Sequence, residues 1–234
     1  MPQSPHYTIF PISDNALTID FGNTISEAIN RRVLSLFEQI RRNPLSGMIE
    51  AVPAYSSLTI YYDTLSLRRG LNGQTAYDRM SELVIDLIAR NTHAALAEPR
   101  QLEIPVCYDR AFAPDLAAHA AACDMTEEEL IGIHTGMTYR VYMLGFLPGF
   151  AYMGEVDARI AAARKIMPAP VAAGSIGIAG RQTGIYPLAS PGGWQIIGRT
   201  PLVLFDPHAT EQSLLRAGDL VRFVSISKNE FANY

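Results

Sequence analysis

A stretch rich in glycine, proline and aromatic residues constrains the fold of this chain more than any other feature. It runs from Gly174 to Trp194 and follows a second such segment, Gly145–Gly154. Glycine adopts backbone angles that other residues reach only with strain, and proline fixes its own φ angle. The pattern therefore predicts short strands joined by tight turns, with aromatic and polar side chains held on a shaped surface.

Composition excludes several classes of protein. The 234 residues suffice for one large domain or two small ones. A net charge of −4 is not the basic footprint of a nucleic-acid-binding protein. No apolar run approaches the roughly 20 residues of a membrane span, and the N-terminus lacks a signal peptide pattern. Cys107 and Cys123 are too far apart for a metal motif. We expect a cytoplasmic protein with no metal, no membrane anchor and no nucleic-acid partner.

The N-terminal part alternates predicted strands with two amphipathic helices. Thr24-Ile25-Ser26-Glu27 matches a capping box, and apolar residues then recur at helical spacing until Asn43-Pro44. Thr75 is predicted to cap a second helix, after a loop at Gly70–Gly73. The predicted strands are Tyr7–Phe10, Ala16–Asp20, Met48–Val52 and Leu58–Tyr62. Residues 1–97 are therefore expected to form a small α/β domain, with two helices on a sheet.

Residues 98–234 are predicted to form mainly short strands, beyond a boundary at Glu98-Pro99. Pro114 suits the first position of a short helix, and Thr126 caps another that reaches about Ile133. The predicted strands are Gln101–Tyr108, Tyr139–Gly145, Gly174–Ala179, Gln195–Thr200, Val203–Phe205 and Leu220–Ser225. Short strands separated by glycine and proline turns indicate a β-sandwich or a β-barrel.

Three segments of this region carry a recognisable pattern: Phe146–Tyr152, Gly174–Pro187 and Ser190–Trp194, with Ile197–Pro201 closing it. Together they resemble a bacterial family that contains the B-type component of 5-oxoprolinase, the first component of allophanate hydrolase and the inhibitor of a sporulation histidine kinase. The resemblance implies an α+β fold, in which a small α/β N-terminal domain precedes a cyclophilin-like antiparallel β-barrel domain.

The resemblance also implies an activity and partners. Family members work beside a homologous second protein, which in 5-oxoprolinase is the C-type subunit, and 5-oxoprolinase has in addition a larger, A-type subunit. This implies one subunit of an ATP-dependent amide hydrolase, inactive alone, whose complex converts the small-molecule amide 5-oxo-L-proline, ATP and water into L-glutamate, ADP and phosphate. An allophanate hydrolase or urea carboxylase type of subunit, and an inhibitor of histidine kinase autophosphorylation, remain open as alternatives.

The loop between Gly154 and Gly174 departs from the family pattern. Glu155 stands where a second glycine is usual, and Ala163 and Ala172 stand where prolines are usual. Proline restricts the backbone, so this loop is expected to be freer than in typical members.

His134 is the candidate catalytic residue. It stands at the expected end of a helix, where a histidine can gain from the helix dipole and titrate near neutrality. One interpretation makes it a C-terminal cap packed against the barrel. The other gives it an acid–base or substrate-anchoring role, which the family resemblance favours.

The remaining candidates are expected to bind substrate. Gln182 and Thr183 lie between glycines, so their side chains either reach a groove or satisfy turn backbone, and Tyr186 is either a pocket wall or barrel core. Gly192 and Gly193 can present backbone amides to an anion or carbonyl. Ser190 lacks a nucleophile-elbow motif. The full set of predicted substrate-binding residues is Arg140, Phe146, Gly149, Tyr152, Gln182, Thr183, Tyr186, Gly192, Gly193, Trp194 and Arg199.

A carboxylate or phosphate substrate calls for a bidentate arginine, and Arg140, Arg181 and Arg199 are the basic residues nearest the motifs. The spacing of Gly174, Gly177 and Gly180 lacks the lysine and the Ser/Thr of a phosphate-binding loop. We therefore expect no cofactor on this chain, and ATP on a partner subunit.

Overall fold

The computed structural model describes residues 7–68, 73–90 and 98–234, and its internal contacts divide the chain into two compact units. Unit 1 is Met1–Glu98 and unit 2 is Pro99–Tyr234. Helices and sheets occur in both units, as the predicted α+β class requires.

Unit 1 contains a four-stranded antiparallel sheet of order β1-β2-β4-β3 and helices with an apolar and a polar face. Alternate strand residues such as Leu17 and Ile60 meet Val33 of α1 and Met80 of α3 in the core. Its elements are β1 (Thr8–Ser13), β2 (Ala16–Asp20), α1 (Glu27–Arg42), β3 (Met48–Pro53), β4 (Ser57–Tyr62), α2 (Thr64–Arg68) and α3 (Ala76–Ala89).

Helix starts in unit 1 are predicted with mixed success. The capping box at Thr75 is confirmed, with Asp78 as its second member. The box at Thr24–Glu27 is wrong: α1 begins at Glu27, and its N-cap, Ser26, makes no side-chain capping bond. Ser26 is already the last extended residue, so Thr24 lies outside the helix. The sequence does not predict the short helix α2, and the loop at Gly70–Gly73 lies largely outside the described residues.

Unit 2 is a closed seven-stranded barrel of order β10-β7-β6-β13-β5-β12-β9, beside a two-stranded sheet of β8 and β11. The barrel pairs are antiparallel except that β13 runs parallel to β5. Its elements are β5 (Gln101–Cys107), α4 (Leu116–Ala122), α5 (Glu127–Thr135), β6 (Thr138–Leu144), β7 (Ala151–Gly154), β8 (Ala169–Val171), β9 (Ser175–Ala179), β10 (Gln182–Ile185), β11 (Ser190–Gly192), β12 (Gln195–Arg199), β13 (Leu220–Ile226) and α6 (Lys228–Ala232).

Two expectations for unit 2 are corrected. Pro114 does not start a helix, because α4 begins at Leu116 after its N-cap Asp115. Val203–Phe205 is not a strand; Phe205 forms a single isolated bridge with Ser213. The capping box at Thr126 is confirmed and α5 extends to Thr135.

Candidate functional site

The three motif segments meet in one cluster of aromatic rings, on the face of β9 and β10 opposite the barrel interior. Phe150 is its centre, with ring centroids 5.1 Å from Tyr186, 5.5 Å from Trp194, 4.7 Å from Tyr152 and 5.6 Å from Phe146. We call these five residues the aromatic cluster. Most of these pairs are edge-to-face, which suits the charge distribution of aromatic rings.

Glycines of the motifs allow these rings to approach the backbone. A Cβ on Gly184 would lie 2.9 Å from a backbone oxygen and 3.0 Å from the Trp194 ring. A Cβ on Gly192 would lie 2.5 Å from the Tyr186 hydroxyl oxygen. The glycine-rich pattern thus follows from close packing between rings and strands.

The aromatic cluster is partly open to solvent. Trp194 and Tyr186 are 4% and 2% exposed, whereas Phe146 is 63% exposed. Burial raises the pKa of the Tyr186 hydroxyl, and a backbone hydrogen bond from Trp194 acts in the opposite direction. Gly149 turns the chain ahead of β7 against the Phe205 side chain, and Gly193 accepts a hydrogen bond from Lys165 N at 2.7 Å. The structure therefore brings together most residues that the sequence predicted to bind substrate.

His134 and Thr183 lie elsewhere, in the barrel interior, and both are fully buried. His134 Nε2 is 3.2 Å from Thr183 Oγ1, which donates to Gly177 O at 3.1 Å. Because the threonine proton is used there, Nε2 is the donor to Thr183. The Nδ1 atom, 2.9 Å from the Tyr108 hydroxyl, is then the acceptor. Both ring nitrogens are satisfied in a neutral histidine.

Electrostatics agree with a neutral His134. Its ring stacks on Phe223 with centroids 4.6 Å apart, and burial, with a further contribution from His119, lowers its pKa to about 3. Burial likewise raises the pKa of Tyr108. The geometry supports a role in holding Tyr108 and Thr183; the catalytic assignment of His134 stays a prediction.

Strand register places Arg140 and Gln182 on the outer face. Both lie opposite Gly154 in β7, so they form one row across β6, β7 and β10. Their neighbours Tyr139, Val141 and Thr183 face inward, so these two side chains lie on the outer face of the barrel wall, where Arg140 is only 7% exposed.

Two other arginines are engaged away from the aromatic cluster. Arg199 Nε donates to Ala173 O at 2.8 Å, and its guanidinium lies over Phe112. Arg181 pairs with Glu155 at 2.8 Å. Ser190 Oγ is buried and makes no hydrogen bond to any described residue, so no base activates it there.

Part of the loop between Gly154 and Gly174, which the sequence did not predict to contribute to the site, borders the aromatic cluster. Residues 161–168, here called the strap, connect a 3-10 turn at Ala158–Ile160 to β8. Lys165 Nζ pairs with Asp115 at 2.6 Å, and Ala163 O accepts from Gln195 Nε2 at 3.0 Å. Tertiary contacts thus fix the backbone of a loop that lacks the prolines usual in the family. Besides the departures from the family pattern, the sequence signal for this segment is the adjacent cations Arg164 and Lys165, within a loop otherwise rich in alanine.

A separate open groove of about 530 Å³ contains none of the predicted site residues. Two of its carboxylates are already engaged: Glu129 completes the capping box of α5 by accepting from Thr126 N, and Asp157 pairs with Arg159. The groove is lined by Asp124, Met125, Glu129, Gly132, Ile133, Gly136, Met137, Asp157 and Arg159.

Metal and membrane features can be stated for the described ranges. There, no three His, Cys, Asp or Glu side chains gather into a possible metal site. No helix within those ranges has both the length and the apolar character needed to cross a bilayer.

Known proteins share this fold and sequence. The B subunit of 5-oxoprolinase from Bacillus subtilis (strain 168) is 43% identical over 231 residues, which cover 97% of this chain and 96% of that protein. The crystal structure of TTHA0988 superposes with a TM-score of 0.76 at 38% identity, covering 91% of this chain and 40% of that one. The Kluyveromyces lactis urea carboxylase shares the fold alone, with a TM-score of 0.75 at 18% identity, over 100% of this chain and 23% of that one.

In both solved structures the matched region is therefore well under half of a longer chain. A family model for the carboxyltransferase domain, subdomain C and D, matches residues 7–215. The chain belongs to the carboxyltransferase domain family, subdomain C and D.

Proposed function

We propose that this chain is the B subunit of a 5-oxoprolinase, a complex that opens the lactam of 5-oxo-L-proline to L-glutamate at the expense of ATP. One observation carries the proposal: the near full-length match, in both directions, to the Bacillus subtilis protein of that name. Identity at this level over whole chains supports a shared role more strongly than a shared fold does.

The partners we propose are a homologous C-type subunit and a larger A-type subunit, in the cytoplasm. Support comes from the two solved relatives in which this fold is a minor part of a longer chain. ATP is assigned to a partner, because the glycine-rich segment forms β9, β10 and their connections, not a loop that opens a helix for phosphate.

Within the chain, we place the small-molecule substrate at the aromatic cluster and the row of Arg140 and Gln182 on the outer face of the barrel wall. The exposed ring of Phe146 and the buried rings of Tyr186 and Trp194 form an apolar wall there. His134 and Thr183 support this wall from the other face of β10, because Thr183 precedes Gly184, on which Trp194 packs.

The decisive experiment is reconstitution. The chain is mixed with purified A-type and C-type subunits, and glutamate and ADP are measured after addition of 5-oxoproline and ATP. We expect turnover with all three subunits, and none with this chain alone or with the two partners alone.

Equal turnover without this chain, or turnover by the chain alone, contradicts the proposal. Urea and allophanate serve as alternative substrates in the same assay, and autophosphorylation of a histidine kinase with and without the chain tests the regulatory alternative.

A further inference from the structure

Arg164, on the strap, is an exposed cation beside the aromatic cluster. Its guanidinium carbon lies 6.0 Å from the centroid of the Trp194 ring, within cation–π range. Throughout the described part of the chain, no hydrogen bond or ion pair engages this guanidinium, whereas Arg159 and Arg181 are paired with carboxylates.

The backbone around Arg164 is fixed from both sides. On one side, Ala163 O accepts the hydrogen bond from Gln195; on the other, Lys165 N donates to Gly193 O and Lys165 Nζ pairs with Asp115. The Lys165–Asp115 pair is only about one-fifth exposed, and Asp115 also accepts from Ile196 N at 2.6 Å. Anchored flanking residues reduce the entropy lost when the side chain is ordered by a ligand.

The charge of Arg164 acts on the aromatic cluster. Burial raises the pKa values of Tyr152 and Tyr186, and the positive charge of Arg164 opposes this rise in both. The rings of Tyr152 and Trp194 lie beside it, with centroids 5.9 Å apart and ring planes inclined by 64°. An aromatic surface therefore adjoins a guanidinium that no described hydrogen bond or ion pair engages. A guanidinium within cation–π distance of an aromatic ring can still present its N–H groups to a bidentate carboxylate.

We propose that Arg164, beside the Trp194 ring, binds the carboxylate of the small-molecule substrate. The inference rests on the proposed function for the identity of that substrate: 5-oxoproline carries one carboxylate on a small lactam ring. Arg164 is thereby a specificity-determining residue that distinguishes lactams with a carboxylate from those without one.

Trp194 makes the test direct, because it is the only tryptophan of the chain. The intrinsic fluorescence of the full chain is followed during titration with 5-oxoproline, and separately with pyrrolidin-2-one, the same lactam without the carboxylate. We expect a saturable change with 5-oxoproline only. Arg164→Gln should raise the Kd for 5-oxoproline at least about tenfold, because the variant loses one charge-assisted contact.

The matched control is Arg159→Gln, which removes an exposed arginine from the preceding turn and should leave the Kd unchanged. Thermal melting checks that both variants fold. An unchanged Kd in Arg164→Gln overturns the proposal, as does a wild-type chain that responds neither to 5-oxoproline nor to acetate, benzoate or succinate.

Failure of the proposed function gives a different result. If the reconstituted complex does not hydrolyse 5-oxoproline, yet one of the other carboxylates changes the fluorescence in an Arg164-dependent way, the carboxylate site stands and only the substrate is wrong. If the complex is active and Arg164→Gln leaves its KM for 5-oxoproline unchanged, the function stands and the Arg164 proposal falls.

Discussion

The stability of unit 2 should depend on pH through His134. Its imidazole is fully buried and neutral, with a pKa of about 3 against the ordinary value of 6.5. Between these values the unfolded chain binds a proton that the folded chain does not. The contribution of the neutral His134 ring to the free energy of unfolding is therefore fully present above about pH 6.5, and it is lost as the pH falls towards 3.

The size of the effect follows from the two pKa values. Their difference corresponds to about 5 kcal/mol in total, of which about 2 kcal/mol is already lost at pH 5. His134→Gln removes the titration, and the glutamine amide can still donate to Thr183 and accept from Tyr108. We expect this variant to have a lower free energy of unfolding than the wild type at pH 7. The difference between the two free energies of unfolding should be about 2 kcal/mol smaller at pH 5.

Urea unfolding followed by Trp194 fluorescence is the assay, since this tryptophan lies in unit 2 and reports its unfolding. His208→Gln, at an exposed position, is the control and should follow the wild type at both pH values. A gap between wild type and His134→Gln that does not change from pH 7 to pH 5 would refute the reasoning that His134 is buried as a neutral ring.

Three further tests concern the packing, a helix cap and the strap of unit 2; the first two use the same unfolding assay and the third uses proteolysis. Gly184→Ala should cost about 1–3 kcal/mol, because its Cβ meets a backbone oxygen and the rings, whereas Gly132→Ala, with open space around it on α5, should be neutral or slightly stabilising. Thr126→Ala removes a capping box and should cost about 1 kcal/mol; an unchanged midpoint would contradict the cap. Lys165→Ala should release the strap, seen as faster proteolysis at residues 161–168, while exposed Lys228→Ala should not.

Elements that a short sequence pattern specifies could be predicted from the sequence. The capping boxes at Thr75 and Thr126 each satisfy two backbone amides, one through the threonine and one through the acidic residue three positions later. Four consecutive residues are enough to recognise this motif. Strands with strict alternation, such as β2 and β5, are also predicted within one or two residues. The same motif gives a wrong prediction at Thr24, because these four residues do not reveal that the chain stays extended up to Ser26.

Pairings and environments that depend on distant partners could not be predicted, even where the element itself was. β13 completes the barrel by pairing parallel with β5, more than a hundred residues earlier, and no local pattern specifies that pairing. The position of His134 has the same origin: its helix end is predicted, but its burial depends on Tyr108, Thr183 and Phe223 from three separate strands or their ends. The sequence therefore identifies His134 as a candidate site residue but does not predict that it is buried.

The glycine-rich motif connects the two sets of site residues physically. Thr183 faces inward to His134, and its neighbour Gly184 faces outward to Trp194, so one strand carries both contacts. A side chain at position 184 would push the Trp194 ring away from β10 and so change its position relative to Arg164. Substitution of Gly184 should for this reason weaken carboxylate binding as well as stability, although the glycine itself touches no ligand. Gly132→Ala, remote from the aromatic cluster, should change neither carboxylate affinity nor the fluorescence of the free chain.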